Sequence, residues 1–488
     1  MPEAIDRTNG GVPLRSASEA AAMVPADAGL AVSGFGGVGY PKAVPLALAE
    51  GGRDLSLSIV SGGGVGEEID TALIEAEAIE RRYPFQADDR IREAINERSV
   101  AFHDRHISRL GDEVEFGGLL DVDTAIVEAV AVGPDWLVPS TSIGLTPSFV
   151  AAADELIVEV NREQPLALRR MHDVYRRSQP PNRGPIPLTE PGGRIGTSRI
   201  EFPEEKLVGV VETARRDDPY TFREPTETYD RIAGHLARFL GRELEANPVF
   251  DDRICLQFGV GNLGNAISEA LTRIEFGDTE VAYFGEVFQD GLLELLDDGT
   301  LESASATSLA LSADGQNRLF DNIERYTSKT VVRNADISNS PELIRRFGVV
   351  GINSAVDVDV YGNANSTHVG GTRVVNGIGG SGDFNRNAIV SIVALPATAG
   401  GGEISRILPL VRHVDHTEHD VDVFITEHGI ADVRGCSPIE RAETIIERCA
   451  DPRFRPALEA YIERAREGEG RGHHPLDVET AFEWERLG

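Results

Sequence analysis

The chain has 488 residues, too many for one ordinary core, so two large domains are expected. Its 80 Asp and Glu against 47 Lys and Arg give a net charge of −33, which disfavours nucleic acid and anionic membranes as partners. No apolar run reaches the roughly 18 residues of a transmembrane helix, and three scattered cysteines (Cys255, Cys436 and Cys449) read as reduced core thiols. The acids are dispersed through a chain with 41% apolar residues, and lysine is confined to Lys42, Lys206 and Lys329. Such a surface suggests a halophilic protein, since screening over a few ångströms in high salt removes self-repulsion.

From the N-terminus, MPEAIDRTNGG has neither a basic start nor an apolar core, so no secretory signal is expected and the compartment is read as cytoplasmic. Residues 29–50 read as a strand, a glycine turn and a helix. Residues 254–274 repeat that order, and GVGYPKAVPLAL in the first copy echoes GVGNLGNAISEAL in the second. Strand-like apolar runs lie at 55–61, 124–130, 155–160, 206–211, 281–284, 329–332 and 421–425. Helical patterns lie at 230–245, 291–298 and 439–449. Strand alternating with helix predicts an α/β protein with largely parallel sheets. Residues 180–199 are rich in Pro, Gly and polar residues. The polar, proline-punctuated stretch 215–227 fits a domain boundary, separating 1–220 from 221–488.

The glycine turn of the second copy is GxGxxG as written (Gly259, Gly261, Gly264). A nicotinamide dinucleotide site also wants an acid at the end of the next strand, and Glu280 precedes VAYF instead of following it. A phosphate-bearing ligand at the helix start, a dinucleotide and a purely structural turn all remain open for it. Glu286, in VAYFGEVFQDG, follows an apolar strand and a glycine, at the end of a strand where ligands bind in open α/β sheets. A partly desolvated carboxylate there can serve as nucleophile or base. Residues 351–387 crowd Gly and Asn between the apolar segments 356–361 and 374–378, which predicts short buried strands and tight turns around a polar ligand. In HVDHTEHD (residues 413–420) no tight metal-ligand spacing occurs, so capping and hydrogen bonding are expected there and no metal. A GxSxG elbow is absent, which argues against a serine hydrolase.

Taken together, SGFGGVGYPKAVP, MHDVY, IPLTEPGGRIG, FGVGNLGNAI, GEVFQDGLLELLDDG, ISNSPELIRR, VYGNANSTHVGGTRVVNGIGGSGDFNRNA and LVRHVDHTEHDVDVFITEHGIADVRG span nearly the whole chain. In order and content they resemble the acetyl-CoA hydrolase / succinyl-CoA:acetate CoA-transferase family. The resemblance implies two tandem CoA-transferase (NagB/RpiA-like) domains, with the active site at their interface and the catalytic glutamate in the C-terminal one. It implies that Glu286 becomes covalently attached, and that Asn339 and Gly380 polarise the thioester carbonyl and contact CoA. Gly261, Asn262, Leu263, Gly264 and Asn265 match the CoA-binding turn. The loop at Gly400 departs from several relatives, which carry a lysine near it; here no cation precedes Arg406, leaving Arg373, Arg386, Arg406 or backbone N–H groups for the CoA phosphates. The implied substrates are an acyl-CoA and a small carboxylate, with no tightly bound cofactor, in a homodimer. Acetyl-CoA hydrolysis by the same glutamate is the alternative; a nicotinamide-dependent oxidoreductase and a non-catalytic CoA-binding sensor are the rivals from other classes.

Overall fold

The computed structural model describes residues 7–86, 88–221, 226–468 and 472–482. The chain folds as two compact units that are not contiguous in sequence. Residues up to Thr221 join Tyr283–Leu296 and Glu302–Leu343 in the first; the remaining segments, including Ile344 onward, form the second. The long N-terminal segment of the first unit ends at Thr221, and the second half of the chain is shared between units. The segment Tyr283–Leu296, which carries Glu286, groups with the first unit. The cause is backbone pairing: Ile143 N–H donates to Thr307 O at 3.0 Å, Leu309 N–H to Thr141 O at 3.0 Å, and Val332 N–H to Met171 O at 2.8 Å.

In the first unit the main sheet runs Leu207–Thr213, Glu155–Asn161, Thr124–Val132, Gly29–Val32, Leu57–Ser61, Ile79–Tyr83 and Ala101–Phe102, with every neighbour parallel. Thr124–Val132 is buried along its whole length, as a central parallel strand covered on both faces must be. A second parallel set joins Ser303–Ala306, Thr330–Arg333 and His172–Asp173. In the second unit Arg253–Phe258, Val349–Asn353, Val390–Ala394 and Val423–Thr426 are parallel neighbours, and Gly429–Asp432 returns antiparallel at the edge. The α/β, mostly parallel architecture is thus the one that the alternation of patterns predicted.

The predicted helices appear as Glu227–Ala246, Asp290–Asp297 and Pro438–Cys449. The last begins at a capping box in which Ser437 and Glu440 satisfy each other's backbone N–H groups. The apolar segment 374–378 is not the strand expected: the strand is Arg373–Val374, opposite His368–Val369, and beyond it the N–H groups of Val375 at 2.8 Å and Asn376 at 3.3 Å both go to Thr367 O. Two of the three lysines hold backbone or buried groups in place. Lys206 Nζ donates to the carbonyls of Ala151 at 2.8 Å and Ala153 at 2.6 Å, closing the end of the helix Thr146–Ala152. Lys42 is fully buried among carboxylates. Among the described residues no helix is long and apolar enough to cross a membrane.

Candidate active site

The strand Glu280–Phe284 ends in a turn built for a glycine: a Cβ on Gly285 would lie 2.5 Å from the Tyr283 hydroxyl. That hydroxyl donates across the turn to Val287 O at 3.1 Å. Gly285 N–H donates to Ser305 O at 3.0 Å, and Glu286 O accepts from the N–H groups of Thr307 at 2.7 Å and Ser308 at 3.2 Å. The backbone of Glu286 is therefore fixed on both sides. Phe284 and Phe288 are fully buried beside it, while Glu286 itself is half-buried. Burial, and then the nearby Glu286 carboxylate, push the Tyr283 phenol well above its ordinary value, so it stays a neutral donor.

Asn339 reaches this carboxylate. Its Nδ2 donates to Glu286 Oε1 at 2.9 Å, its Oδ1 accepts from Ser338 Oγ at 3.0 Å, and its N–H bonds Ala335 O at 2.8 Å. Asn339 is fully buried just after the short helix Ala335–Ser338. That helix is anchored by Asn334, whose side chain exchanges hydrogen bonds with the backbone of Tyr175 at 3.0 and 3.1 Å. Both catalytic candidates thus sit together in the first unit. The pair places an amide donor against a carboxylate at a strand end, an arrangement suited to a carboxylate nucleophile with a preset oxyanion donor.

The other candidates belong to the second unit. Gly261, at φ +100°, precedes the helix Asn262–Leu271, which has no side-chain cap. Among the described residues a Cβ on Gly259 or Gly261 would meet nothing within 4 Å, so open space lies beside these glycines. Leu263 and Asn265 are half-buried, Gly264 is buried and its carbonyl accepts from Ser268 Oγ at 3.0 Å, and the side chain of Asn262 lies outside the described residues. Gly380 is buried and starts the helix Ser381–Asn387, its carbonyl accepting from Asp383 N–H at 2.9 Å. In the histidine-rich segment, buried His416 lies between Ser381 Oγ at 3.3 Å and Ser366 Oγ at 3.2 Å. Among the described residues no three His, Cys, Asp or Glu side chains gather as a metal-holding group.

Gly400, Gly401 and Gly402 form a turn with all three φ angles positive (+59°, +69° and +97°). The loop has a cation that its own sequence lacks: Arg453 Nη2 lies 3.1 Å from where a Gly402 Cβ would be. Asp451 holds that guanidinium at 3.0 Å. Sequence reasoning missed Arg453 because it lies some fifty residues beyond the loop, in a segment with no motif.

A profile of the acetyl-CoA hydrolase/transferase N-terminal domain matches residues 12–212, and one of the C-terminal domain matches residues 315–462. A succinyl-CoA:acetate CoA-transferase from Clostridium kluyveri is 40% identical over 474 residues, covering 96% of this chain and 88% of its own. An acetyl-CoA hydrolase from Neurospora crassa is 38% identical over 471 residues, covering 92% of this chain and 89% of its own. A 4-hydroxybutyrate CoA-transferase from Porphyromonas gingivalis shares the fold at a TM-score of 0.64 and 21% identity, with 93% of this chain and 97% of that one covered. With two domain profiles and near full-length relatives in agreement, the chain belongs to the acetyl-CoA hydrolase/transferase family.

Proposed function

We propose that this enzyme moves CoA between small carboxylic acids through a thioester on Glu286, with transfer outrunning hydrolysis. The family covers both transfer and hydrolysis. The observation that carries the glutamyl route is the 2.9 Å hydrogen bond from the Asn339 amide to the Glu286 carboxylate. A Glu286 oxygen attacks the acyl carbon, the C–S bond breaks, and CoA thiolate leaves a mixed anhydride. The thiolate then attacks the glutamyl carbonyl carbon, releasing the first carboxylate and leaving CoA on Glu286 as a thioester. A second carboxylate attacks that thioester and the two steps reverse, giving ping-pong kinetics. The Asn339 amide stabilises the oxyanion of each addition; loss of one such donor costs about 3 kcal/mol of barrier.

Transfer is favoured over hydrolysis by the surroundings of the carboxylate. The thioester must survive until an acid arrives, and fully buried Phe284 and Phe288 keep the neighbourhood of Glu286 apolar. For CoA itself we assign the uncapped helix start at Gly261–Asn265, Gly380, and the turn at Gly400, where Arg453 supplies the cation beside Gly402. Incubation with succinyl-CoA and no acceptor should leave CoA on the peptide containing Glu286, and borohydride should reduce it and inactivate the enzyme. Glu286→Ala should lose about three decades of rate or more. Free thiol released without acetate as fast as acetyl-CoA forms with it would make the protein a hydrolase.

A further inference from the structure

The mechanism leaves a buried ionic cluster around Lys42 unused. Lys42 is fully buried, and its ammonium donates to Glu128 Oε2 at 2.7 Å, Asp217 Oδ1 at 2.8 Å and Tyr40 O at 2.8 Å. Asp217 gathers three further donors: Gly39 N–H at 3.1 Å, Thr141 Oγ1 at 2.5 Å and Gln164 Nε2 at 3.0 Å. Glu128 takes Ser140 Oγ at 2.6 Å and Asn161 Nδ2 at 2.9 Å. Burial alone would lower the Lys42 pKa, but Asp217 and Glu128 carry it above its ordinary value, so the ammonium stays charged. Replacing such a cluster by apolar side chains often costs a protein nothing, so its presence asks for a role other than stability.

Its neighbours supply one. Through Thr141 the cluster reaches the segment that carries the nucleophile: Thr141 O accepts from Leu309 N–H at 3.0 Å, and Ile143 N–H donates to Thr307 O at 3.0 Å. Thr307 N–H in turn donates to Glu286 O at 2.7 Å. Through Gly39 the same carboxylate holds the glycine loop, where a Cβ on Gly36 would touch both Val287 and Ser308 at 3.3 Å. Asp217 therefore stands a few hydrogen bonds from the Glu286 backbone along one route, and along the other it holds the loop that packs closely against the neighbouring Val287.

We propose that Asp217, hydrogen-bonded to the Lys42 ammonium, is a positioning residue that sets the backbone of Glu286 through Thr141 and the glycine loop. The inference rests on the glutamyl mechanism above and adds what aims the nucleophile. Misplacement of a reacting group by about 1 Å costs on the order of 100-fold in rate. The experiment measures, in high salt, the rate at which CoA becomes attached to Glu286 from acyl-CoA without acceptor, together with steady-state kcat and KM. Asp217→Asn is expected to slow attachment about 100-fold, with KM for acyl-CoA within about threefold of wild type. Thr141→Val, which leaves the charges intact, should slow it about tenfold, and Thr141→Ser, which keeps the hydroxyl, should restore it. If Asp217→Asn does not fold, the Thr141 pair alone decides. Attachment in Thr141→Val as fast as in wild type and Thr141→Ser overturns the positioning role, as does a loss confined to KM. Absence of any Glu286 adduct in the wild type overturns instead the mechanism on which it rests.

Discussion

The two strand–glycine turn–helix copies look alike in sequence and differ in what fills them. In the first, Glu159 is fully buried and accepts three backbone N–H groups around the start of the helix Ala43–Glu50: Lys42 at 2.8 Å, Ala43 at 3.0 Å and Val44 at 2.6 Å. The glycines there are crowded, with a Cβ on Gly39 only 2.6 Å from Ser142 N and one on Gly34 2.8 Å from Tyr40 Cβ. In the second copy the helix Asn262–Leu271 starts after Gly261, which has no side chain to cap with, and among the described residues a Cβ on Gly259 or Gly261 would meet nothing within 4 Å. The first turn already contains a carboxyl group from within the fold; the second has none in the corresponding place among the described residues. A helix N-terminus offers the same partial positive charge in both, so the difference lies in whether a distant strand supplies a carboxylate.

The strongest way to break this comparison is an alanine in each turn. Gly39→Ala should cost about 3 kcal/mol or more, because the methyl meets backbone and φ is +68° there. Gly259→Ala should leave stability within about 0.5 kcal/mol while weakening acyl-CoA binding about tenfold. Equal melting losses in both variants would erase the distinction.

Acid probes the first unit next. Burial lowers the His172 pKa to about 4, so the imidazole is neutral in the fold, with Nε2 bonded to Ser140 O at 3.0 Å. Below the ordinary histidine value of about 6.5 the unfolded chain takes up a proton that the folded chain refuses. Stability is therefore full above that value and falls as pH drops towards about 4, by on the order of 3 kcal/mol for this group. Denaturant melts at pH 7 and pH 4 should show a smaller acid loss in His172→Gln than in wild type; equal losses would mean the histidine does not titrate in this way.

Glu159→Gln sharpens the comparison at the helix start itself. It keeps the shape but turns an acceptor towards being a donor among three N–H groups, and should cost about 2 kcal/mol. A variant as stable as wild type would show that the internal cap is dispensable. Salt acts on neither turn and should have the smallest effect per group. Melting midpoints should rise from about 0.1 M to about 3 M KCl as the Debye length falls from roughly 10 Å to below about 3 Å. A flat midpoint would mean that surface pairs such as Arg434 with Glu243 at 2.6 Å already offset the repulsion, and the halophilic reading would go.

Much of the fold was legible because the patterns were strong. The apolar runs at 124–130 and 155–160 became Thr124–Val132 and Glu155–Asn161, and the helix expected at 230–245 became Glu227–Ala246. The strands Val349–Asn353 and Val390–Ala394 went unread, since Gly351, Asn353 and Ser391 interrupt their apolar content and only flanking strands make them buried. Glu286 could be picked out locally, by an apolar strand followed by glycine. Asn339 carried no local signal, and its place beside Glu286 comes from a helix anchored on Tyr175.

By itself the sequence determined the α/β class, the two glycine turns and the position of a carboxylate at a strand end, because each depends on residues within a few positions of one another. Tertiary structure decided which turn is filled, which unit holds Glu286, and what lies behind it. Lys42, Glu128, Glu159 and Asp217 are separated by more than a hundred residues at the extremes, yet converge within hydrogen-bonding distance. Buried charges are tolerated only where partners meet them, and no local pattern records a partner that arrives from another strand.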